Sequence, residues 1–176
     1  MIGSGFGMGY GEIEAEKGRW EKVLSIFPGY EGYRKKETLR EIDKLLRDAL
    51  YNDLRKSKEL LQNHCRNLIS NNKIDSDSSE RTLMKLDATS EKIHHATYGY
   101  ASEMSAIKVK EDKIKRLIEF DESLADNVKK IRECVDKLKN PDDDPKKLLV
   151  DVNEQTILLD EHFGHRKEFM LGLGRD

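Results

Sequence analysis

Between Ile107 and Lys139 the apolar residues fall three and four positions apart, at Ile114, Leu117, Leu124, Val128, Ile131, Val135 and Leu138. An α-helix turns once every 3.6 residues or so, and that spacing gathers these side chains onto one line. Sustained over three heptads, such a line is the seam of a coiled coil, and it has to be buried against other helices. Asp121 occupies one position of the seam. A carboxylate buried there needs a basic partner, or a place where the bundle opens.

The rest of the chain supplies the partners. From about Tyr33 to Ser70 a second line runs through Leu39, Ile42, Leu46, Ala49, Leu50, Leu60, Leu61, Cys65 and Leu68, with Tyr51, Asp53 and Ser57 interrupting it. Arg40 with Asp43, Asp43 with Arg47 and Lys44 with Asp48 read as ion pairs on its outer face, each contributing about 0.2–0.5 kcal/mol. Asp77 with Glu80 predicts the start of a helix that runs to about Thr97. The Tyr98-Gly99-Tyr100 step that follows is either a kink or an end, so residues 78–139 form one bent helix or two. Asp144-Pro145 is a cap followed by a first-turn proline, opening a last helix through Leu148, Leu149, Val152, Thr156, Leu159, Phe163 and Met170 that Gly172 and Gly174 end. Glu12 to Phe27 is a shorter helix, with Trp20 as its packing anchor and Pro28-Gly29 as its stop. Short polar turns make sequential helices antiparallel neighbours. The expected fold is therefore all-α: an elongated antiparallel bundle of three to four long helices with coiled-coil-like packing. Residues 1–11, with glycine at every second position, read as a flexible tail, and residues 12–176 as one bundle domain.

Composition narrows the function. Charged residues make up 38% and apolar ones 36%, which suits narrow stripes of core rather than a thick interior. The net charge of −2 provides no field for nucleic acid, and no apolar run is long enough for membrane insertion. Cys65 and Cys134 sit in separate helical patterns and read as reduced thiols, which together with the lack of a signal sequence predicts a cytoplasmic protein. Charge is uneven along the chain: residues 34–66 carry 10 basic and 6 acidic side chains, whereas residues 141–176 carry 5 and 9. The first and last long helices are therefore expected to attract each other.

Reactive chemistry is sparse. A di-iron carboxylate bundle needs two Glu-x-x-His pairs, and only Glu91 with His94 fits. His162 and His165, with Glu161 nearby, would still need further ligands to close a zinc site. No phosphate loop, nucleophile elbow or kinase signature occurs. No catalytic residue, metal site or cofactor is assigned. Whether Glu91, His94, Asp121, His162 or His165 serves a ligand stays open at this point.

One local feature runs against helix electrostatics. Arg34, Lys35 and Lys36 stand where the helix macrodipole is positive, which disfavours each by about 0.3–1 kcal/mol. They are either solvated at a frayed end or part of a docking surface for an acidic partner framed by Tyr30 and Tyr33, with Arg40 and Arg47 beyond. The segment Phe27-Pro28-Gly29-Tyr30-Glu31-Gly32-Tyr33, followed by Lys36-Glu37, Arg40, Asp43-Lys44 and Arg47, resembles a pattern in uncharacterised all-helical prokaryotic proteins. The resemblance covers residues 25–60 and implies a helical fold without an activity. The expected function is a non-enzymatic interaction or assembly module, acting through a protein partner or self-association. The alternative is a helical bundle that binds a metal or small ligand, with enzymatic activity in a polar pocket where Asp121 meets a histidine.

Overall fold

The computed structural model describes residues 39–96 and 111–172, with residues 18, 19, 21–23 and 25 ahead of them; of residues 39–42 and 111–115 it describes the backbone alone. Four long helices account for nearly all of it: α1 Leu39–Ser70, α2 Ser76–His94, α3 Glu111–Lys137 and α4 Pro145–Gly172. No strand occurs among the described residues. The all-α bundle read from the sequence is the fold.

The turns follow from local chemistry. Asn72 adopts the left-handed conformation at φ 55°. The Lys73 and Asn72 amides then reach back to the Leu68 and Ile69 carbonyls, both at 2.9 Å, which closes α1 with a Schellman motif. Asp75 caps α2 by accepting from the Ser78 amide at 2.7 Å, so the helix starts at Ser76, earlier than the Asp77–Glu80 reading placed it. It ends at His94, short of Thr97. Pro145 opens α4 as expected, and Asp144 accepts from the Lys146 amide at 3.0 Å.

Each turn joins an antiparallel hairpin. In the first, Tyr51 meets Glu91 and His94, while Lys58 pairs with Asp87 further along α1 and earlier in α2. In the second, Asp121 meets Arg166, and Asn127 meets Gln155. The hairpins then pack side by side: α1 lies against α2 and α3, and α4 against α2 and α3. Between hairpins the direction is parallel. Asp43 and Asp121 share Arg166, and ten residues on in α1 Asp53 takes Arg132, eleven residues on in α3. α1 and α4 thus occupy opposite corners, as do α2 and α3.

That placement overturns the expected attraction of the first long helix for the last. The ion pair that does join them, Arg166 with Asp43, has its base on α4 and its acid on α1, opposite to the regional charges. Apolar lines choose the neighbours, because exposed charges contribute too little to do so.

The core forms from one line per helix. Leu46, Leu50, Leu54, Leu61 and Cys65 of α1 meet Leu117, Leu124, Val128, Ile131 and Val135 of α3 and Leu149, Val152, Leu159 and Phe163 of α4. Val23, ahead of α1, is buried in the same cluster. The line of α2 is different, with Ser79, Thr82, Thr89 and Ser90 beside Leu86 and Ile93. The Ser79 and Thr82 hydroxyls donate to the carbonyls four residues back, at 2.9 Å each, so they enter the interior already hydrogen-bonded. Residues 97–110, and with them the Tyr98-Gly99-Tyr100 step, lie outside the described residues, as do the 1–11 tail and Trp20.

Candidate functional site

Two places on α4 depart from an ordinary amphipathic helix, one inside the bundle and one outside. Inside, the buried line runs Val152, Thr156, Leu159, Phe163, Arg166, Met170, so a guanidinium stands where the spacing calls for an apolar side chain. Arg166 is fully buried. Its Nη1 donates to Asp43 of α1 at 2.6 Å and its Nε to Asp121 of α3 at 2.5 Å. Both carboxylates are buried too. Arg166 therefore supplies a basic partner of the kind that Asp121 requires. Asp43, read from the sequence as an outer-face residue, faces inward: it lies one helical turn before Leu46 on the buried line. It does pair with Arg47, at 3.0 Å, as expected from their spacing. Asp53 and Ser57 are likewise buried members of that line rather than breaks in it.

Arg47 extends the cluster to the remaining helix. Its Nη1 donates to the Ala96 carbonyl at 2.8 Å and the His94 carbonyl at 3.4 Å, where the end of α2 leaves carbonyls without intrahelical donors. Asp43 and Arg47 of α1, the end of α2, Asp121 of α3 and Arg166 of α4 thus tie all four helices together at one end. Among the described residues, the two carboxylates and two guanidiniums of this cluster carry opposite charges in equal number. The arrangement holds the four helices together.

The other sequence-derived candidates spread out. Tyr30, Tyr33, Arg34, Lys35 and Lys36 lie outside the described residues, and so does the Arg40 side chain. Glu91 accepts from the Tyr51 hydroxyl at 3.3 Å and pairs with His95 at 3.2 Å. His94 instead stacks on the Tyr51 ring, centroids 4.0 Å apart. Among the described residues no three acidic, histidine or cysteine side chains converge as metal ligands. Cys65 and Cys134 are not disulfide-bonded, and burial pushes both thiols up, away from the nucleophilic thiolate.

Where α3 meets α4, Ser123 Oγ lies 2.9 Å from His162 Nδ1 and Asn127 Oδ1 lies 2.8 Å from the same nitrogen. Asn127 turns its amide nitrogen to Gln155 Oε1 at 3.2 Å. In a nucleophilic triad the serine and the orienting residue use opposite ring nitrogens. Here both converge on Nδ1, and because Asn127 Oδ1 can only accept, it pairs with Nδ1–H, a nitrogen that then has no lone pair with which to deprotonate Ser123. The contact fixes a tautomer and does not activate a nucleophile. An adjoining groove of about 380 Å³ is lined by Arg116, Phe120, His165, Glu168 and Phe169. Arg116 sits 5.2 Å from the Phe169 ring centroid, and the two phenylalanine rings are 5.6 Å apart.

Outside, α4 carries a second apolar line. Val150, Ile157 and Leu171 are spaced by multiples of seven, and with Leu158 they stay 54%, 39%, 44% and 39% exposed. Gly164 fills the remaining position of the repeat. Four residues after Val150, Ile157 and Gly164 come Glu154, Glu161 and Glu168, all exposed. The inward line dominates the sequence pattern of α4, and the outward one is legible as a heptad once the first is set aside.

The chain matches no protein-family model, no curated protein and no solved structure. Among the described residues no helix is long and apolar enough to cross a membrane.

Proposed function

We propose that the protein is a non-enzymatic interaction or assembly module that presents the outer face of α4 to a protein partner. The observation that carries this reading is the second apolar line: α4 spends one face on the core and keeps Val150, Ile157, Leu158 and Leu171 at the surface. Single exposed apolar residues are ordinary, but a row aligned at heptad spacing is the pattern by which helices recognise helices. The interior accords with the same reading, since the buried Asp43, Asp53, Asp121 and Arg166 are each held in an ion pair. A cytoplasmic setting accords with two thiols that are not bonded to each other.

The test is site-specific photo-crosslinking in the cells that make the protein. A photoreactive residue at Ile157 is expected to give discrete adducts, and one at the exposed Lys130 of α3 is not. Identical patterns from the two positions, or none from Ile157, would discard the reading.

A further inference from the structure

The outer face of α4 has a chemical character that narrows what can lie on it. Its apolar line is flanked on one side by Glu154, Glu161 and Glu168, one per heptad, with nothing basic between them in that row. Towards α2, Asp160 is already engaged by Lys85 at 3.0 Å and Lys92 at 2.6 Å. Towards α3, His165 and Glu168 line a groove together with Phe120, Phe169 and Arg116, whose guanidinium lies over the Phe169 ring. A second copy docked antiparallel on the same face would set glutamate row against glutamate row, which is repulsive.

Gly164 points the same way. A glycine inside a helix is destabilising relative to alanine, so its presence calls for a reason. A Cβ added at Gly164 would meet nothing within 4 Å, so no neighbour in the fold requires its absence. It lies on the outward line between Ile157 and Leu171, where the missing side chain lets another backbone come close.

Resting on the docking reading above, we infer that this face takes a basic amphipathic α-helix of another protein, with apolar residues at heptad spacing and lysine or arginine beside them to meet the three glutamates. The partner lies along α4 from Val150 to Leu171, packed most closely at Gly164, with an apolar anchor reaching the Phe120–Phe169 groove. Charge selects the partner and speeds encounter, and the apolar line holds it.

The test uses the full chain and two labelled synthetic helices about three heptads long, with identical leucine lines, one flanked by lysines and the other by glutamates, read by fluorescence anisotropy. The lysine helix is expected to bind, more weakly as salt rises, and the glutamate helix is not. Glu154→Gln, Glu161→Gln and Glu168→Gln together should weaken binding at least about tenfold, whereas neutralising Asp126, Glu133 and Asp136 on α3 should not. Gly164→Ala should weaken binding while leaving the fold intact by circular dichroism. If both helices bind equally through Ile157, docking stands but the basic partner is wrong. Lysine-helix binding that survives the triple substitution is binding elsewhere and also overturns the inference. Self-association through Val150 and Ile157 without peptide binding would make the occupant a second copy. If neither peptide binds and the chain stays monomeric, the docking reading falls as well.

Discussion

The two faces of α4 are mirror images in chemistry. Inside, one charged residue, Arg166, stands in an apolar line; outside, an apolar line stands among charged residues. Each is a local exception, and they differ in how it is resolved. The chain answers Arg166 with Asp43 and Asp121 from two other helices. Among the described residues nothing comparable covers Val150, Ile157 and Leu171, which remain partly exposed. An exception settled within the fold ties helices together, and one left open leaves apolar surface in contact with water.

The largest expected effect breaks the inner half of this comparison. Arg166→Met removes the guanidinium that Asp121 and Asp43 share, leaving Asp43 its pair with Arg47, and should cost about 3–5 kcal/mol in urea unfolding, because breaking a buried ion pair by removing one member costs far more than the pair is worth. Adding Asp121→Leu should recover part of that loss. A cost below about 1 kcal/mol for Arg166→Met would mean that the cluster is not the tie that its geometry indicates.

A smaller effect, of opposite sign, sharpens the outer half. Gly164→Ala should raise stability by about 0.5–1 kcal/mol, the ordinary difference between the two residues inside a helix. Destabilisation would show that the fold itself needs the glycine, removing one support for the partner helix.

The smallest concerns the seam between the faces. Burial raises the pKa of Asp160, but the hydrogen bonds from Lys92 and Lys85 outweigh it and hold the carboxyl below its usual range. A depressed folded-state pKa stabilises the protein above the ordinary aspartate value, and that contribution is lost as pH falls through the folded value. Stability measured from neutral pH downward should therefore fall less steeply in Asp160→Asn than in the parent. Parallel curves would mean that the two lysines contribute nothing.

Much of this architecture was legible beforehand, and the gaps have physical causes. The seam of α3 is plain in the sequence, and Asp121 within it calls for either a base or an opening in the bundle, of which the fold supplies the base. Arg166 escaped because the apolar reading stepped from Phe163 to Met170, although 152, 156, 159, 163, 166 and 170 keep the alternation of four and three. Asp43 was misplaced because an acid four residues before an arginine forms a pair on either side of a helix, so the pair says nothing about burial. The diagonal step from α2 to α3 leaves no trace in periodicity, because a line of leucines does not name its partner. The outer line of α4 lay hidden behind the inner one, since a helix apolar on two sides has a blurred period.

The Arg166 cluster also bears on alignment. If α4 slid by one heptad along its neighbours, Leu159 could come opposite Asp43 and Asp121, and both acids would lose the guanidinium they share. Leucine lines alone tolerate such slippage, because one greasy notch resembles the next. A single arginine at one depth makes the notches unequal, and so the four rods have one position in which to come to rest.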